Sequence, residues 1–258
     1  MTEDRLQALI ARLAIVRNIS LGEAMELLSV SESTARRMFA QLEHSGAAIR
    51  THGGIRSIEQ TPTAYSFEFG AKMNIKKKSA IGSAACDFLE DGDVIFCDSG
   101  TTIQCFCAEL VHRLRRDKLN ITVYTNSLAN VELLSPYLPV HLTGGTYRSN
   151  RKDFCGYIAE QTLRTVYFTK CFVGADGCID GNMFTTTDFD TMRVNEVAIG
   201  NSRQTYMLVD STKFSVSTHI AYMPIEQIHT VITDDGISKG TLANLKKTSA
   251  NIVCVNTK

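Results

Sequence analysis

Two short runs carry the residue types for nucleic-acid chemistry. Val30-Ser31-Glu32-Ser33-Thr34-Ala35-Arg36-Arg37 opens a stretch of helical spacing with small hydroxyls and sets two arginines one turn in. Arg50-Thr51-His52-Gly53-Gly54 follows downstream as a tight basic turn. The exposed start of such a helix is the end that meets base edges in a major groove, and arginine pairs bidentately with guanine or clamps a phosphate. Ser31 or Ser33 caps this helix; if Ser31 is the cap, Ser33, Thr34 and Arg37 lie at that end, with Thr34 and Arg37 nearest the bases. Arg36 is equally suited to a phosphate. Arg50 and His52 belong to a wing that can lie along the DNA backbone. An Arg-Arg pair alone describes only a solvated helix face; the cap, a capped helix before it and the Gly-Gly turn after it give the DNA-facing reading.

A second constellation is a series of small polar loops, each directly after a short apolar run. Asp98-Ser99-Gly100-Thr101-Thr102 follows Val94–Cys97, Thr125-Asn126-Ser127 follows Ile121–Tyr124, and Gly144-Gly145-Thr146 follows Val140–Leu142. A helix opening on such a loop offers unpaired N–H groups and a partial positive charge to an anion. One such loop describes a turn; three in succession, at the carboxyl ends of parallel strands, outline the ligand crevice of an open α/β sheet and favour a phosphorylated small molecule. Lys213, in Asp210-Ser211-Thr212-Lys213-Phe214, and Lys78, which ends Lys76-Lys77-Lys78, are placed to neutralise the phosphate. Lys76 and Lys77 read as a solvated face. Asp176, in Gly-Ala-Asp-Gly, is either a sugar-hydroxyl partner or a turn former, and Glu196 faces either the crevice or solvent.

The elements that must position these residues follow from periodicity. Leu6, Leu9, Ile10, Leu13 and Ile15-Val16 have helical spacing. Ser20-Leu21-Gly22-Glu23 is a capping box for a second helix. Ala35, Met38, Phe39 and Leu42 line one face of a third, which stops at Gly46. Residues 47–58 read as a hairpin around Gly53-Gly54. The expected organisation is a DNA-binding domain over 1–58, a polar linker over 59–77 interrupted by Pro62, and an α/β domain over 78–258 whose first helix runs from about Lys78 to Leu89. In the last domain β-rich runs alternate with helical segments up to Ile252–Val255, which predicts a mostly parallel sheet covered on both faces.

Composition sets limits. The 258 residues carry 27 basic and 27 acidic side chains, so no global positive field draws the chain to nucleic acid, and DNA binding must rest on where charges sit. No signal peptide or run long and apolar enough to span a bilayer is visible, which points to a cytoplasmic protein. The eight cysteines are scattered through apolar stretches and read as reduced, buried thiols. Cys105 and Cys107 lack partners at zinc spacing, so no metal is expected.

The segments Val-Ser-Glu-Ser-Thr-Ala-Arg-Arg, Leu42-Glu43-His44-Ser45-Gly46 and Arg-Thr-His-Gly-Gly resemble the N-terminal domain of the DeoR/GlpR family of bacterial transcriptional regulators. Asp-Ser-Gly-Thr-Thr, Thr-Asn-Ser, Gly144-Gly145, Gly-Ala-Asp-Gly and Asp-Ser-Thr-Lys-Phe resemble its C-terminal sensor. The resemblance spans nearly the whole chain in the right order. It implies a winged helix-turn-helix joined to a larger α/β sensor similar in fold to ribose-5-phosphate isomerase. It further implies a repressor of a carbohydrate-catabolic operon, bound to double-stranded operator DNA as a homo-oligomer (dimer or tetramer) and released by a phosphorylated sugar, with no cofactor and no membrane. Ala35, Met38 and Phe39 depart from the Thr-Ile-Arg-Arg-Asp-Leu pattern typical of the family's recognition helix. Gly70 stands where a basic residue is common, and Thr185-Thr186-Thr187 matches less closely.

The competing class is a sugar-phosphate isomerase or deaminase carrying an accessory DNA-binding head. Isomerisation needs a general base at the substrate's carbon acid. Asp98 and Asp176 are the nearest candidates, and both have non-catalytic explanations.

Overall fold

A computed structural model describes residues 5, 6, 8–10, 12, 13, 18–45, 47–57 and 66–257. They fall into two compact units that divide between Met73 and Asn74. The expected helix end at Ile15-Val16, the stop at Gly46, the hairpin end at Ile58 and the break at Pro62 lie outside the described residues.

In the first unit, the described residues of 5–13 are helical and contribute Leu6, Leu9 and Leu13 to the core. Strand β1 (Asn18–Ser20) leads directly into α1 (Leu21–Leu28). Ser20 Oγ accepts from the Glu23 N–H at 3.2 Å, and the Glu23 carboxylate accepts from the Ser20 N–H at 2.7 Å, so the capping box forms as expected. Ser29, in the left-handed region at φ 49°, turns the chain into α2 (Glu32–His44). Helix α2 buries Ala35, Met38, Phe39 and Leu42, the face its spacing requires. Strands β2 (Ala48–Thr51) and β3 (Gly54–Ser57) form a hairpin, and β1 adds to β3 to complete an antiparallel sheet in the order β1-β3-β2. The hairpin turn is His52-Gly53, one residue earlier than expected. Gly54 is already in the strand, where an added Cβ would lie 2.2 Å from the Ile19 carbonyl oxygen. Glycine is needed there for close strand approach.

Part of the expected linker is helical. Helix α3 (Phe67–Lys72) is capped by Ser66, buries Phe67 and packs Phe69 against the core of the first unit. Two aromatics at this spacing bury apolar surface that a free linker would leave in water. Helix α4 (Ile75–Cys86) likewise begins before Lys78, with Asn74 at its N-cap.

In the second unit, seven parallel strands form one sheet in the order β15-β14-β12-β9-β4-β5-β6. They are β4 (Val94–Cys97), β5 (Thr122–Thr125), β6 (Val140–Leu142), β9 (Phe168–Val173), β12 (Ser202–Leu208), β14 (Thr230–Asp234) and β15 (Asn251–Val255). Residues alternate between two cores: Phe96, Cys171, Val173, Met207 and Val231 face one side, and Ile95, Cys97, Phe172, Leu208 and Ile232 the other. Both faces are apolar because helices cover both. Helices α4, α5 (Thr101–Asp117) and α6 (Leu128–Leu134) pack on one face. Helices α7 (Tyr157–Arg164), α8 (Phe189–Gly200) and α9 (Lys239–Leu245) pack on the other. A ribbon of β7 (Thr146–Arg148) and β8 (Asp153–Cys155), and a small sheet of β10 (Gly177–Ile179), β11 (Met183–Thr186) and β13 (Ile220–Pro224), complete the unit. Chain order reverses between β4 and β9, with β5 and β6 to one side and β12, β14 and β15 to the other. The loops after β4 and β9 therefore flank the crevice such a reversal opens.

Candidate nucleic-acid interface and anion-binding crevice

The first unit presents the exposed start of α2. Ser31 occupies its N-cap position, yet its hydroxyl makes no bond to the helix backbone. It lies instead 3.1 Å from Ser33 Oγ and 3.0 Å from Thr34 Oγ1, a hydroxyl cluster on the first turn. Arg36 is exposed and paired to Glu32 one turn back, Nε to Oε1 at 2.8 Å. Arg50 stands 3.9 Å from Glu43. Arg37 is exposed and makes no ion pair among the described residues. Arg36, Arg50 and His52 line one shallow cleft between α2 and the β2–β3 turn, against Phe39 and Leu21. Ser33, Thr34 and Arg37 lie outside it, on the helix start itself. The predicted residues thus divide into a cleft that suits a phosphate and a helix tip that suits base edges.

In the second unit the loop after β4 is the centre. Gly100 caps α5 without a side-chain bond, leaving the first N–H groups of a 17-residue helix for another partner. Thr101 and Thr102 are buried on its first turn. Lys78, buried on α4, places Nζ 2.9 Å from Thr101 Oγ1. A cation beside the positive end of a helix dipole is unfavourable by itself, and an anion bound there would relieve it. Asp98 is buried next to this point. Its Oδ1 accepts from the Ser99 N–H at 2.6 Å and its Oδ2 from the Gly174 N–H at 3.3 Å. Burial pushes its pKa above the usual carboxylate value, and nearby Asp153 adds to the rise, although both N–H donors and Arg151 oppose it.

The remaining predicted residues fall into two groups. Thr125 and Ser127 are engaged inside the fold. Thr125 Oγ1 donates to the Cys97 carbonyl at 2.6 Å, and Ser127 Oγ accepts the Asn130 N–H at 3.3 Å to cap α6. Asn126 donates to the Phe154 carbonyl at 3.3 Å. Gly144 and Gly145 both have positive φ, and a Cβ on Gly145 would lie 2.4 Å from the Cys155 carbonyl oxygen. Asp176 commits Oδ2 to the Thr187 N–H and to the hydroxyls of Thr186 and Thr187. Lys213 is half-buried on the turn Ser211–Ser215, with no side-chain partner among the described residues. Glu196 is exposed.

Several charged residues escaped the sequence reading. Lys77 is no solvated lysine: its Nζ lies 2.9 Å from Ser211 Oγ and 3.1 Å from Asp234 Oδ2. Arg148 grips Asp153, which receives the Ser99 hydroxyl at 3.1 Å. Their one sequence signal is an opposite-charge pair five residues apart across a polar turn. All eight cysteines are free thiols; Cys254 is exposed and Cys105 half-buried, while the other six are buried.

A winged helix-turn-helix unit and an α/β unit with a ligand crevice together define a ligand-responsive transcriptional regulator. Residues 5–61 match the DeoR-like helix-turn-helix domain, and residues 73–235 match the DeoR C-terminal sensor domain. The chain belongs to the DeoR family of DNA-binding transcriptional regulators. It is 32% identical over 238 residues to a lactose phosphotransferase system repressor of Streptococcus mutans, covering 90% of this chain and 92% of that one. A protein of the same name from Lactococcus lactis is 33% identical, with 91% of each chain covered. The transcriptional regulator IolR of Bacillus subtilis is 30% identical, with 83% and 84% covered. Among solved structures, ribose 5-phosphate isomerase A of Methanocaldococcus jannaschii overlaps 53% of each chain at 20% identity and a TM-score of 0.41. Among the described residues no helix is long and apolar enough to cross a membrane, and no cluster of metal ligands occurs.

Proposed function

We propose that this regulator represses a carbohydrate-utilisation operon and leaves its operator when a phosphorylated sugar fills the crevice after β4. The observation that carries the reading is the buried Lys78 ammonium set on the uncapped first turn of α5. Lysine and helix N–H groups favour a phosphate, with Gly100, Thr101 and Thr102 as its contacts and Lys213 as a second cation. Asp98 and Ser99 take sugar hydroxyls, and Asp176 offers its remaining oxygen. Thr125, Asn126, Ser127, Gly144 and Gly145 hold the neighbouring loops in place. On the DNA side, Ser33, Thr34 and Arg37 read base edges, while Arg36, Arg50 and His52 take phosphates. The protein acts in the cytoplasm as a dimer or tetramer, because helix-turn-helix regulators read half-sites about one DNA turn apart. It senses its sugar phosphate without turning it over.

The relatives support this reading through their names, which describe repressors of sugar systems. The test is retention of genomic DNA fragments on the purified chain at low salt, followed by elution with individual sugar phosphates. Specific retention and elution by one of them are expected, with that compound recovered unchanged. Failure to retain any fragment, or retention that no sugar phosphate alters, overturns the proposal.

A further inference from the structure

Arg148 ends β7, outside every loop singled out above, with its side chain 17% exposed. Its fork takes Asp153 with two bonds, Nε to Oδ1 at 2.9 Å and Nη2 to Oδ2 at 2.8 Å. The same guanidinium reaches the start of α8, where Nη1 donates to Asp188 Oδ2 and Nη2 lies 3.1 Å from Thr191 Oγ1. Asp153 Oδ2 also accepts from Ser99 Oγ, at 3.1 Å. One charged fork therefore joins the loop after β4, the β7–β8 ribbon and α8.

A second path joins the same loop to the same helix. Gly174 donates its N–H to Asp98 Oδ2 at 3.3 Å, and its carbonyl accepts from the Tyr222 hydroxyl at 2.9 Å. The Asn195 amide lies 3.5 Å from that hydroxyl oxygen. Asn195 is four residues on from Thr191, hence on the same face of α8. Asp98 and Ser99, adjacent in sequence, are thus tied to one helix through separate partners.

The geometry points to Arg148 as the positioning residue of the crevice: it fixes Ser99 through Asp153 and carries the filling of that loop to α8 through Asp188 and Thr191. The inference rests on the effector reading proposed above. Ser99 Oγ has one proton to give, and here Asp153 is its nearer side-chain acceptor; Asp98 Oδ1 is at 3.4 Å. A ligand oxygen that takes this proton leaves Asp153 to Arg148 and to Arg151, whose Nε lies 3.6 Å from Asp153 Oδ2, and the Arg148 guanidinium shares its donors anew between Asp153 and α8. Arginine's planar fork serves three acceptors in fixed directions, whereas an ammonium is a compact point charge. If the pair served only to neutralise Asp153, lysine would do as well.

Full-length R148K separates the two roles. Thermal melting is followed while ribose 5-phosphate, fructose 1-phosphate, fructose 6-phosphate, galactose 6-phosphate and inorganic phosphate are titrated in turn. The compound that raises the melting temperature of the unchanged chain is expected to need about tenfold or more higher concentration in R148K, the scale on which a misplaced supporting group acts. Slowing of amide exchange in α8 by that compound is expected in the unchanged chain and lost in the variant. Equal half-saturation and equal protection of α8 in both proteins would overturn the role of Arg148 and leave the effector reading standing. If none of the compounds stabilises the unchanged chain, the effector reading falls and this inference with it. Should R148K fail to fold, Arg148→Gln keeps an amide donor for Asp153 while Arg151, 3.6 Å from Asp153 and 4.0 Å from Asp188, still faces both carboxylates. The same loss of affinity is expected there, and unchanged half-saturation would overturn the inference.

Discussion

The Lys78 ammonium sits 2.9 Å from Thr101 Oγ1, so a buried positive charge meets the positive end of the α5 dipole. An anion at the start of that helix is favoured by both the ammonium and the dipole. Lys78→Met keeps the length of the side chain and removes the charge. Stabilisation by sugar phosphates is expected to disappear in this variant, read as the loss of the melting-temperature shift. A lower ligand-free melting temperature with the sugar-phosphate shift intact would mean that Lys78 is a structural residue only.

Arg37 is the exposed arginine of α2 with no ion pair among the described residues, whereas Arg36 is held by Glu32. A bidentate arginine–base contact is worth about 1–3 kcal/mol of discrimination. Arg37→Ala should therefore weaken operator binding roughly tenfold to a hundredfold, measured by anisotropy of labelled operator, with melting and sugar-phosphate response unchanged. Arg36→Ala should weaken binding to all DNA sequences alike.

The two serines that precede α1 and α2 make a matched pair. Ser20 caps its helix and Ser31 does not, although both stand at the N-cap. Loss of a capping hydroxyl costs about 1 kcal/mol. Ser20→Ala is expected to lose that much in a denaturant titration, and Ser31→Ala to lose much less. Equal losses would show that position, rather than the hydrogen bond, carries the effect.

These cases show what the sequence made legible. Ser-x-x-Glu at Ser20 is local chemistry and formed as read, as did the strands of the parallel sheet, whose apolar runs are short, rich in β-branched residues and bounded by turn residues. Ser31 carried the same cap signal but lacks glutamate at the third helical position, and its hydroxyl found Ser33 and Thr34 instead. Lys77, Arg148 and Asp153 were illegible as a site because their partners come from other elements. Lys77 meets Asp234 only once β14 lies beside β12, and Arg148 meets Asp188 only once the β7–β8 ribbon folds onto α8. Residues of the proposed linker were misjudged for a related reason: the apolar core that Phe69 packs against is supplied by distant sequence.

At the opposite end of the sheet from the crevice, Lys170 and Asp93 form a buried pair, Nζ to Oδ2 at 2.7 Å. Burial raises the Asp93 pKa, but bonds from Lys170, Thr169 and the Glu90 N–H outweigh it and hold it below the usual value. Asp188 and Asp234 are lowered in the same way by their own partners. A carboxylate with a depressed folded-state pKa contributes stability above its unfolded value, about 3.9, and loses it as pH falls through the folded one. Melting temperature should therefore drop as pH is lowered below about 4. Lys170→Met leaves Asp93 buried and unpaired, at an expected cost of about 3–5 kcal/mol near neutral pH. A cost below 1 kcal/mol would show that water replaces the lysine.

Two glycines of the crevice loops have opposite structural demands. Gly145 adopts φ 109° and has a carbonyl oxygen 2.4 Å from its ideal Cβ, so Gly145→Ala must shift the β7–β8 ribbon and should destabilise by at least about 1–3 kcal/mol. Gly100 has an ordinary φ of −63°, and the nearest atoms to a Cβ there are Asp98 Oδ2 at 3.6 Å and Ile103 Cγ1 at 3.7 Å, ordinary contacts. The folded protein alone gives no reason for glycine at position 100. Close approach of an anion to the first N–H groups of α5 does, because a methyl group there would stand between phosphate and backbone. Gly100→Ala is therefore expected to melt within a few degrees of the parent, to bind operator with unchanged affinity, and to remain bound when sugar phosphate is added. Release of Gly100→Ala at the parent's sugar-phosphate concentration would place the phosphate elsewhere in the crevice, away from the start of α5.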